Sequence, residues 1–365
     1  MEETKKIYIW CLMLWSIPFT LFGQRYISGQ IADDIEGNPI SAATVFIAGS
    51  TSGTQTDADG YYQLNISGEG SYLFVVSYRG YQKIIKDIEP GSESLVFDTY
   101  IKMEEVEEVN ISTEIRNRKR DIDFFWSSIL GKKPSVNTIH PKNPEAVFCD
   151  YNPRTHLLKV TSREPLHIVN NETGYHIQFH LDYFIHDYST DLTDWEAQSF
   201  FTELVPATLA QKKQWEQNRK DVYQVSITKF IKSLYNNSLK NDGFELFTMY
   251  IIPGTYKTTV KERWGPYDPF KRTVSANPDN ILSKNSIDNS KTLNLSNDVF
   301  LLICNGSMRR WGEFRNLLRC GLLCIYPDGT YTNKLYLTPY GHLNPLLTGV
   351  CMTLPIEYIP EESTH

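Results

Sequence analysis

Between Tyr26 and about Lys102 the chain repeats one unit, a short apolar run closed by turn-forming residues. The runs are YISGQIAD, ATVFIAG, YYQLNIS, YLFVVSY, YQKIIKDI and LVFDTYIKM. Between them stand Glu36-Gly37-Asn38-Pro39, Ser50-Thr51-Ser52-Gly53, Asp57-Ala58-Asp59-Gly60 and Gly68-Glu69-Gly70. Six or seven short strands with turns at this spacing predict a β-sandwich. Asp57 and Asp59 raise the alternative of a calcium loop. An EF-hand loop needs glycine at its sixth position and glutamate at its twelfth. Counted from Asp57, glycine comes fourth and the twelfth position is Gly68. The pattern predicts a tight turn, with Asp59-Gly60 tolerating positive φ and Tyr62 and Leu64 starting a period-two strand.

Composition agrees with β structure. Aromatic residues make up 13% of the 365, with 22 tyrosines and 18 phenylalanines, residue types enriched in strands. A net charge of −7 argues against a nucleic-acid partner, which needs a basic face. Residues 1–23 read as a secretory signal: Lys5 and Lys6, an apolar run from Ile7 to Phe22, then Gly23-Gln24. That run contains Pro18 and is shorter than the roughly 20 residues of a membrane span. Cys11 sits inside it, after Trp10, the wrong place for lipidation. The expectation is export to the periplasm or outer membrane, with no transmembrane span after signal removal.

Removing the signal leaves Cys149, Cys304, Cys320, Cys324 and Cys351, an odd number in an oxidising compartment. Cys320 and Cys324 lie in a strand-like run, which sets them roughly 13 Å apart at about 3.3 Å per residue. Buried thiols are expected there rather than a disulfide.

The stretch GQIADDIEGNPISAATVFIAGSTSGTQTDADGYYQL resembles the carboxypeptidase regulatory-like domain, a transthyretin-like sandwich of exported Bacteroidetes proteins. The resemblance is carried by Gly29, Ile31, Asp33, Gly37, Pro39, Ile40, Ala43 and Val45, then by Gly53, Thr54, Thr56, Asp57, Gly60, Tyr62 and Leu64. The later family pattern [VI]-S-x-x-G-[YF] stands as Val76-Ser77-Tyr78-Arg79-Gly80-Tyr81. The resemblance implies a seven-stranded scaffold over residues 24–103, an accessory module without catalytic residues. Gly29, Asp33, Gly37, Pro39, Gly53, Asp57, Gly60, Gly80 and Tyr81 are its structural positions.

Residues 104–122 form a charged stretch, with Glu104-Glu105-Val106-Glu107-Glu108 followed by Arg116-Asn117-Arg118-Lys119-Arg120. It reads as a solvated linker. Glu107–Thr113 also resembles the TonB box, the energy-coupling segment of TonB-dependent receptors, although too little chain follows for a receptor barrel.

Residues 123–365 predict an α+β domain, a mixed sheet with one long packed helix. FFWSSILG reads as a short helix ending at Gly131, and LHIVN-NETG-YHIQFHLDYF as a hairpin. In its second arm Tyr175, Ile177, Phe179, Leu181 and Tyr183 alternate with His176, Gln178, His180 and Asp182, predicting one buried and one solvated face. His176, His180 and His186 tempt a metal reading, but on a strand the first two lie about 13 Å apart, beyond one metal's reach. Pro206 opens the long helix, with an apolar stripe of Val222, Tyr223, Ile227, Phe230, Ile231 and Leu234, and Asn241-Asp242-Gly243 closes it. Residues 261–296 read as a polar insertion, after which strands resume at VFLLICNGS, GLLCIYPDGTYTNKLYL and LLTGVCMTLPIEY. This half resembles a region of unknown function that often follows the regulatory-like module. The resemblance is carried by Ile129-Leu130-Gly131, Asn143-Pro144, Val147, Asp150-Tyr151, Glu164-Pro165-Leu166-His167-Ile168, Asn170, Gly174-Tyr175, Trp215, Asn218-Arg219, Tyr223, Ser226 and Leu354–Tyr358.

No catalytic motif is present: no G-x-S-x-G, H-E-x-x-H, P-loop or dinucleotide fingerprint. Candidate binding residues are Trp215, Asn218, Arg219 and Tyr223 with Glu164 and Asn170; the helical four can equally form the polar seam between helix and sheet. Catalytic residues, metal ligands and cofactors are not expected. Two readings remain. The chain is a non-catalytic envelope protein that binds another protein or a glycan, in company with an outer-membrane receptor or transport system, or it is a periplasmic hydrolase whose cleft unites both halves.

Overall fold

The computed structural model describes residues 25–66, 70–89, 94–104, 115–130, 138–189, 192–250, 273–275, 278–285, 289–294, 299–305, 314–319, 322–332, 336–339 and 353–361. The signal segment and the TonB-box-like residues 107–113 lie outside them, as do Cys320 and Cys351.

The repeating runs form strands β1 (Arg25–Asp33), β2 (Thr44–Ile47), β3 (Gly53–Gln55), β4 (Tyr61–Ile66), β5 (Tyr72–Ser77), β6 (Ile84–Ile88), β7 (Leu95–Val96) and β8 (Thr99–Ile101). One sheet runs β4-β1-β7 with β8 also on β1; the other runs β3-β2-β5-β6. Alternation decides which residues fill the sandwich: Tyr62, Leu64 and Ile66 point in from β4 while Tyr61, Gln63 and Asn65 point out. They meet Ile27, Ile31, Val45, Phe74 and Val76 in one core. The sixth and last run is split. β7 and β8 both lie parallel to β1, and between them Phe97-Asp98 crosses over Gly29, where a Cβ would come within 2.1 Å of the Phe97 carbonyl oxygen. Tyr62 donates its hydroxyl to that oxygen (2.7 Å), and the Gln30 amide donates to Asp98 (2.8 Å).

The Asp57 segment takes the form of a tight turn. Asp57 Oδ1 accepts the amides of Asp59 (3.0 Å) and Tyr61 (2.8 Å), and Gly60 takes φ +77°. Asp33 does the same for the first turn, accepting from Ile35 and Glu36 ahead of Gly37, while Pro39 bridges back to Ala32. Tyr81 packs on Tyr78 and bridges to Met103, next to Glu104, whose amide donates to the Gly80 carbonyl.

The basic run from Arg116 to Arg120 is not linker but the beginning of helix α1 (Ile115–Leu130). Arginine and lysine favour helix, and the helix is anchored by Phe125 and Ile129, both fully buried on the following sheet. That sheet contains β9 (Ile139–Pro141), β10 (Val147–Asn152), β11 (Leu157–Ser162), β12 (Leu166–Asn170), β13 (Tyr175–Asp187) and β14 (Leu192–Glu203), every pairing antiparallel. β13 is its axis. One edge pairs with β12 over its first part and β11 over its last, and the other pairs with β14 throughout. The register slips between Leu181 and Tyr183. Asp182 is the extra residue of this bulge, and the expected alternation inverts after it: Phe184 and His186 are buried while Tyr183 is half-buried. The β13 histidines are therefore not all solvated, since His180 and His186 are both buried.

The single long helix is divided. Helix α2 (Leu209–Tyr223) starts behind Thr208, whose hydroxyl accepts the Gln211 amide, so Pro206 lies outside it. Helix α3 (Ile227–Tyr235) starts behind Ser226, which accepts from Lys229. Serine competes for backbone groups within a helix and caps a new one well. The apolar stripe on α3, Phe230, Ile231 and Leu234, forms a third core with Phe244, Leu246, Leu293 and Leu323.

The rest of the chain adds β15 (Phe244–Tyr250), β16 (Thr273–Ser275), a short helix α4 (Pro278–Ile281), β17 (Leu282–Lys284), β18 (Lys291–Asn294), β19 (Val299–Asn305), β20 (Phe314–Arg319), β21 (Leu322–Ile325) and β22 (Tyr336–Pro339). They form a five-stranded sheet, β16-β15-β19-β20-β22, and a three-stranded one, β17-β18-β21. The supposed polar insertion thus contains three strands and a helical turn from 273 onward. Of the last predicted strand, residues 353–361 contain none. Leu354 is buried against the second core, and the Ile356 amide donates to the Gly49 carbonyl of the sandwich (2.9 Å).

Candidate functional site

Helical spacing places Trp215, Asn218, Arg219 and Val222 on one side of α2, facing the β12–β13 turn. Trp215 Nε1 donates to the Asn171 carbonyl (2.7 Å) and Asn218 Nδ2 to that of Glu172 (2.6 Å). Arg219 donates to the carbonyls of Thr173 (2.6 Å) and Gly174 (3.3 Å) and to the Glu203 carboxylate (2.9 Å). Its guanidinium carbon lies 4.0 Å from the centre of the Tyr175 ring. From within the turn Asn170, fully buried, accepts the amides of Glu172 (3.0 Å) and Thr173 (3.3 Å). Gly174 has φ +72°, and a Cβ there would sit 2.3 Å from the Trp215 ring. Burial pushes the Tyr175 phenol above its ordinary value, against the pull of Arg219.

Of the six candidate residues the structure therefore unites four, Asn170, Trp215, Asn218 and Arg219. Each of them bonds the backbone of the turn, and Arg219 also holds the Glu203 carboxylate. Tyr223 lies one turn farther along α2, edge-on to Tyr358 (6.0 Å), and burial raises its phenol. Glu164 stands apart, accepting from Asn143 (3.3 Å) and lying 3.9 Å from Arg79 of the sandwich.

A second constellation joins the two halves. Ser50 forms a parallel bridge with Phe200: the Gly49 amide donates to the Ser199 carbonyl (2.6 Å), and Phe201 donates to that of Ser50 (2.9 Å). Beside it Lys83 Nζ reaches Asp182 (2.6 Å), the His180 carbonyl (3.1 Å) and Gln198 Oε1, while Gln198 Nε2 donates to Asp182 (2.7 Å). The His180 ring lies 4.7 Å from that of Phe46, which also packs against Phe200 (5.3 Å) over Gly53. Burial, then the Lys83 charge, lowers the His180 pKa to about 3, so the imidazole is neutral. Burial also lowers the Lys83 pKa, with Asp182 opposing. Nothing in the sequence announces this joint, because its members come from four separate stretches and only packing brings them together.

Among the described residues no three histidine, cysteine or acidic side chains are grouped as metal ligands, and no helix is long and apolar enough to cross a membrane. The chain is similar to the TonB-dependent receptor P26 of Formosa agariphila, 33% identical over 115 residues, which is 32% of this chain and 11% of the receptor. Solved structures with similarity include a chain of a type II cohesin–X-dockerin complex of Acetivibrio cellulolyticus, at 23% identity over 22% of this chain and 56% of that one, TM-score 0.19. The Bacillus anthracis TIE protein matches at 10% identity over 87% and 48%, TM-score 0.19. A DUF3823 family protein of Bacteroides uniformis matches at 10% over 79% and 92%, TM-score 0.17. Such TM-scores carry no weight for architecture or function. The sandwich has a firmer likeness: residues 27–112 match the family model described as the CarboxypepD_reg-like domain.

Proposed function

We propose that this chain is a non-catalytic exported protein of a Bacteroidetes cell envelope, in the periplasm or at the outer membrane. It acts as a binding or accessory module, with an outer-membrane receptor or transport system as its partner, or another envelope protein or glycan. The regulatory-like match and the similarity to a TonB-dependent receptor support this reading. The observation that carries it is the way the sandwich is held. It docks on the second half through β2, β3 and the Lys83 segment, which leaves the outer face of the β4-β1-β7 sheet to solvent. Tyr26, Tyr61, Val96 and Tyr100 are all exposed on that face. Tyrosine-bearing flat surfaces suit protein or glycan recognition. In this reading the α2 residues Trp215, Asn218, Arg219 and Tyr223, with Asn170, hold the second half in shape, and Glu164 with Arg79 rims the joint.

The hydrolase alternative needs an imidazole able to accept a proton in a cleft between the halves. His180, a histidine of the joint, is closed beneath Phe46 and holds its neutral form far into the acid range. Crosslinking in intact cells, followed by capture of a C-terminally tagged chain, tests the proposal. Recovery of one outer-membrane receptor or transport protein, reduced by Tyr61→Ser with Tyr100→Ser, supports it. Recovery of nothing specific from repeated captures sinks it.

A further inference from the structure

A cavity of about 260 Å³ lies where the sandwich, helix α3, the Pro327–Gly329 turn and the tail segment 353–361 converge. Its walls combine two kinds of surface. Ile47 and Ile66 of the sandwich face Ile356 and Ile359 of the tail, while Lys232, Asp328 and Glu357 bring charge. The charged groups are not equally occupied. Asp328 Oδ2 accepts the Gly70 amide (3.0 Å) and the Tyr72 hydroxyl (2.8 Å), and its Oδ1 accepts the Thr330 amide (3.0 Å) and hydroxyl (2.7 Å). That carboxylate is fully engaged and serves as a fixed negative charge. Glu357 is half engaged. Its Oε1 accepts the Thr51 amide (2.6 Å) and hydroxyl, whereas its Oε2 is buried with no partner among the described residues. Lys232 is attracted by Asp328 and desolvated by burial, and its ammonium has no hydrogen bond or ion pair among the described residues.

A buried carboxylate oxygen without a donor is costly. A ligand ammonium would supply that donor. The two carboxylates outnumber the single lysine, which favours a cationic group further, and Lys232 in turn needs an anion. The isoleucines need an apolar partner. We infer that the cavity binds a small aliphatic zwitterion, an amino acid or dipeptide with a branched apolar side chain. Its ammonium sits at Glu357, its carboxylate at Lys232 and its side chain on the isoleucine wall. The volume is below the roughly 300 Å³ at which sites for larger ligands begin, which suits one or two residues and no longer peptide. This inference is independent of the accessory reading, because none of the exposed residues Tyr26, Tyr61, Val96 and Tyr100 lines the cavity.

The test is calorimetric titration of the full chain with L-leucine and with alanyl-leucine. N-acetyl-leucine, which lacks the ammonium, isoamylamine, which lacks the carboxylate, and glucose serve as controls. One of the zwitterions is expected to bind, with both single-charge analogues weaker by about tenfold or more. Glu357→Gln keeps an acceptor for Thr51 but turns an amide donor towards the cavity, and is expected to weaken binding by about tenfold while the melting temperature moves by less than about 3 °C. Lys232→Met provides the second arm, with a similar loss that falls on the carboxylate-bearing probes and spares isoamylamine. Absence of heat with both zwitterions at millimolar concentration would overturn the proposal. So would equal binding of N-acetyl-leucine, preferential binding of glucose, or binding indifferent to both substitutions.

Discussion

Lys83 of the sandwich and Asp182 of the second half meet at 2.6 Å across the joint, with side chains 16% and 25% exposed. Asp182 stands where the β13–β14 register shifts, between Leu181 and Tyr183, and its carboxylate reaches Lys83 across the joint. The pair is hydrogen-bonded on both sides, by Gln198 to Asp182 and by Lys83 to the His180 carbonyl. A pair of this kind contributes little net energy while intact but is costly to break, because one charge is left desolvated. Lys83→Met is therefore expected to lower unfolding free energy by about 2 kcal/mol and to split one urea transition into two. Unchanged stability with a single transition would mean that the backbone bonds at Ser50 and Phe200 hold the joint alone.

The same joint predicts acid sensitivity. His180 has a folded pKa of about 3 against an ordinary value of 6.5, lowered by burial first and then by the Lys83 charge. A histidine kept neutral in the folded state contributes stability above its unfolded pKa. That contribution is lost as pH falls from about 6.5 towards 3, because the unfolded chain takes up the proton first. The slope is about 1 kcal/mol per pH unit. Urea midpoints measured at pH 7, 6, 5 and 4 are expected to fall more steeply in wild type than in His180→Leu. Parallel slopes would remove His180 from the account.

Asp57 is a turn residue whose oxygen serves two amides, so its charge matters less than its acceptor. Asp57→Asn is expected to cost a few tenths of a kcal/mol and Asp57→Ala about 1 kcal/mol, the ordinary worth of a side-chain cap on backbone donors. Millimolar calcium is expected to leave the melting temperature of wild type unchanged. A calcium-dependent rise abolished by Asp57→Asn would restore the metal reading.

The sandwich was legible because its determinants are local. Asp57, Gly60, Asp33 and Gly37 act within four residues of themselves, and period-two burial follows directly along β4. The one departure, the split at Phe97-Asp98, depends on Gly29 from a strand far back in the chain. The second half was less legible for the same reason. The helix break at Ser226 and the bulge at Asp182 each change which face is buried, and neither alters the average apolar pattern. The α2 residues stand on one helical face, which their spacing predicted. That they meet the β12–β13 turn rather than solvent depends on a contact across some 45 residues, as from Arg219 to Gly174. The joint and the cavity were invisible because their members are scattered from Phe46 to Ile359.

The turn and the helix that grips it make the last prediction. Gly174 has φ +72° directly beneath the Trp215 ring, with no room for a methyl group. Gly174→Ala incurs both backbone strain, of order 1 kcal/mol or more, and a clash that displaces α2. Arg219→Lys keeps the charge but loses the planar fork that serves Thr173, Gly174 and Glu203 together. Each substitution is expected to lower unfolding free energy by about 2 kcal/mol. Because both loosen the same contact, the double variant is expected to lose less than the sum of the singles. Additive losses in urea denaturation would show that Arg219 and Gly174 act independently, and that the grip of α2 on the hairpin is not a single unit.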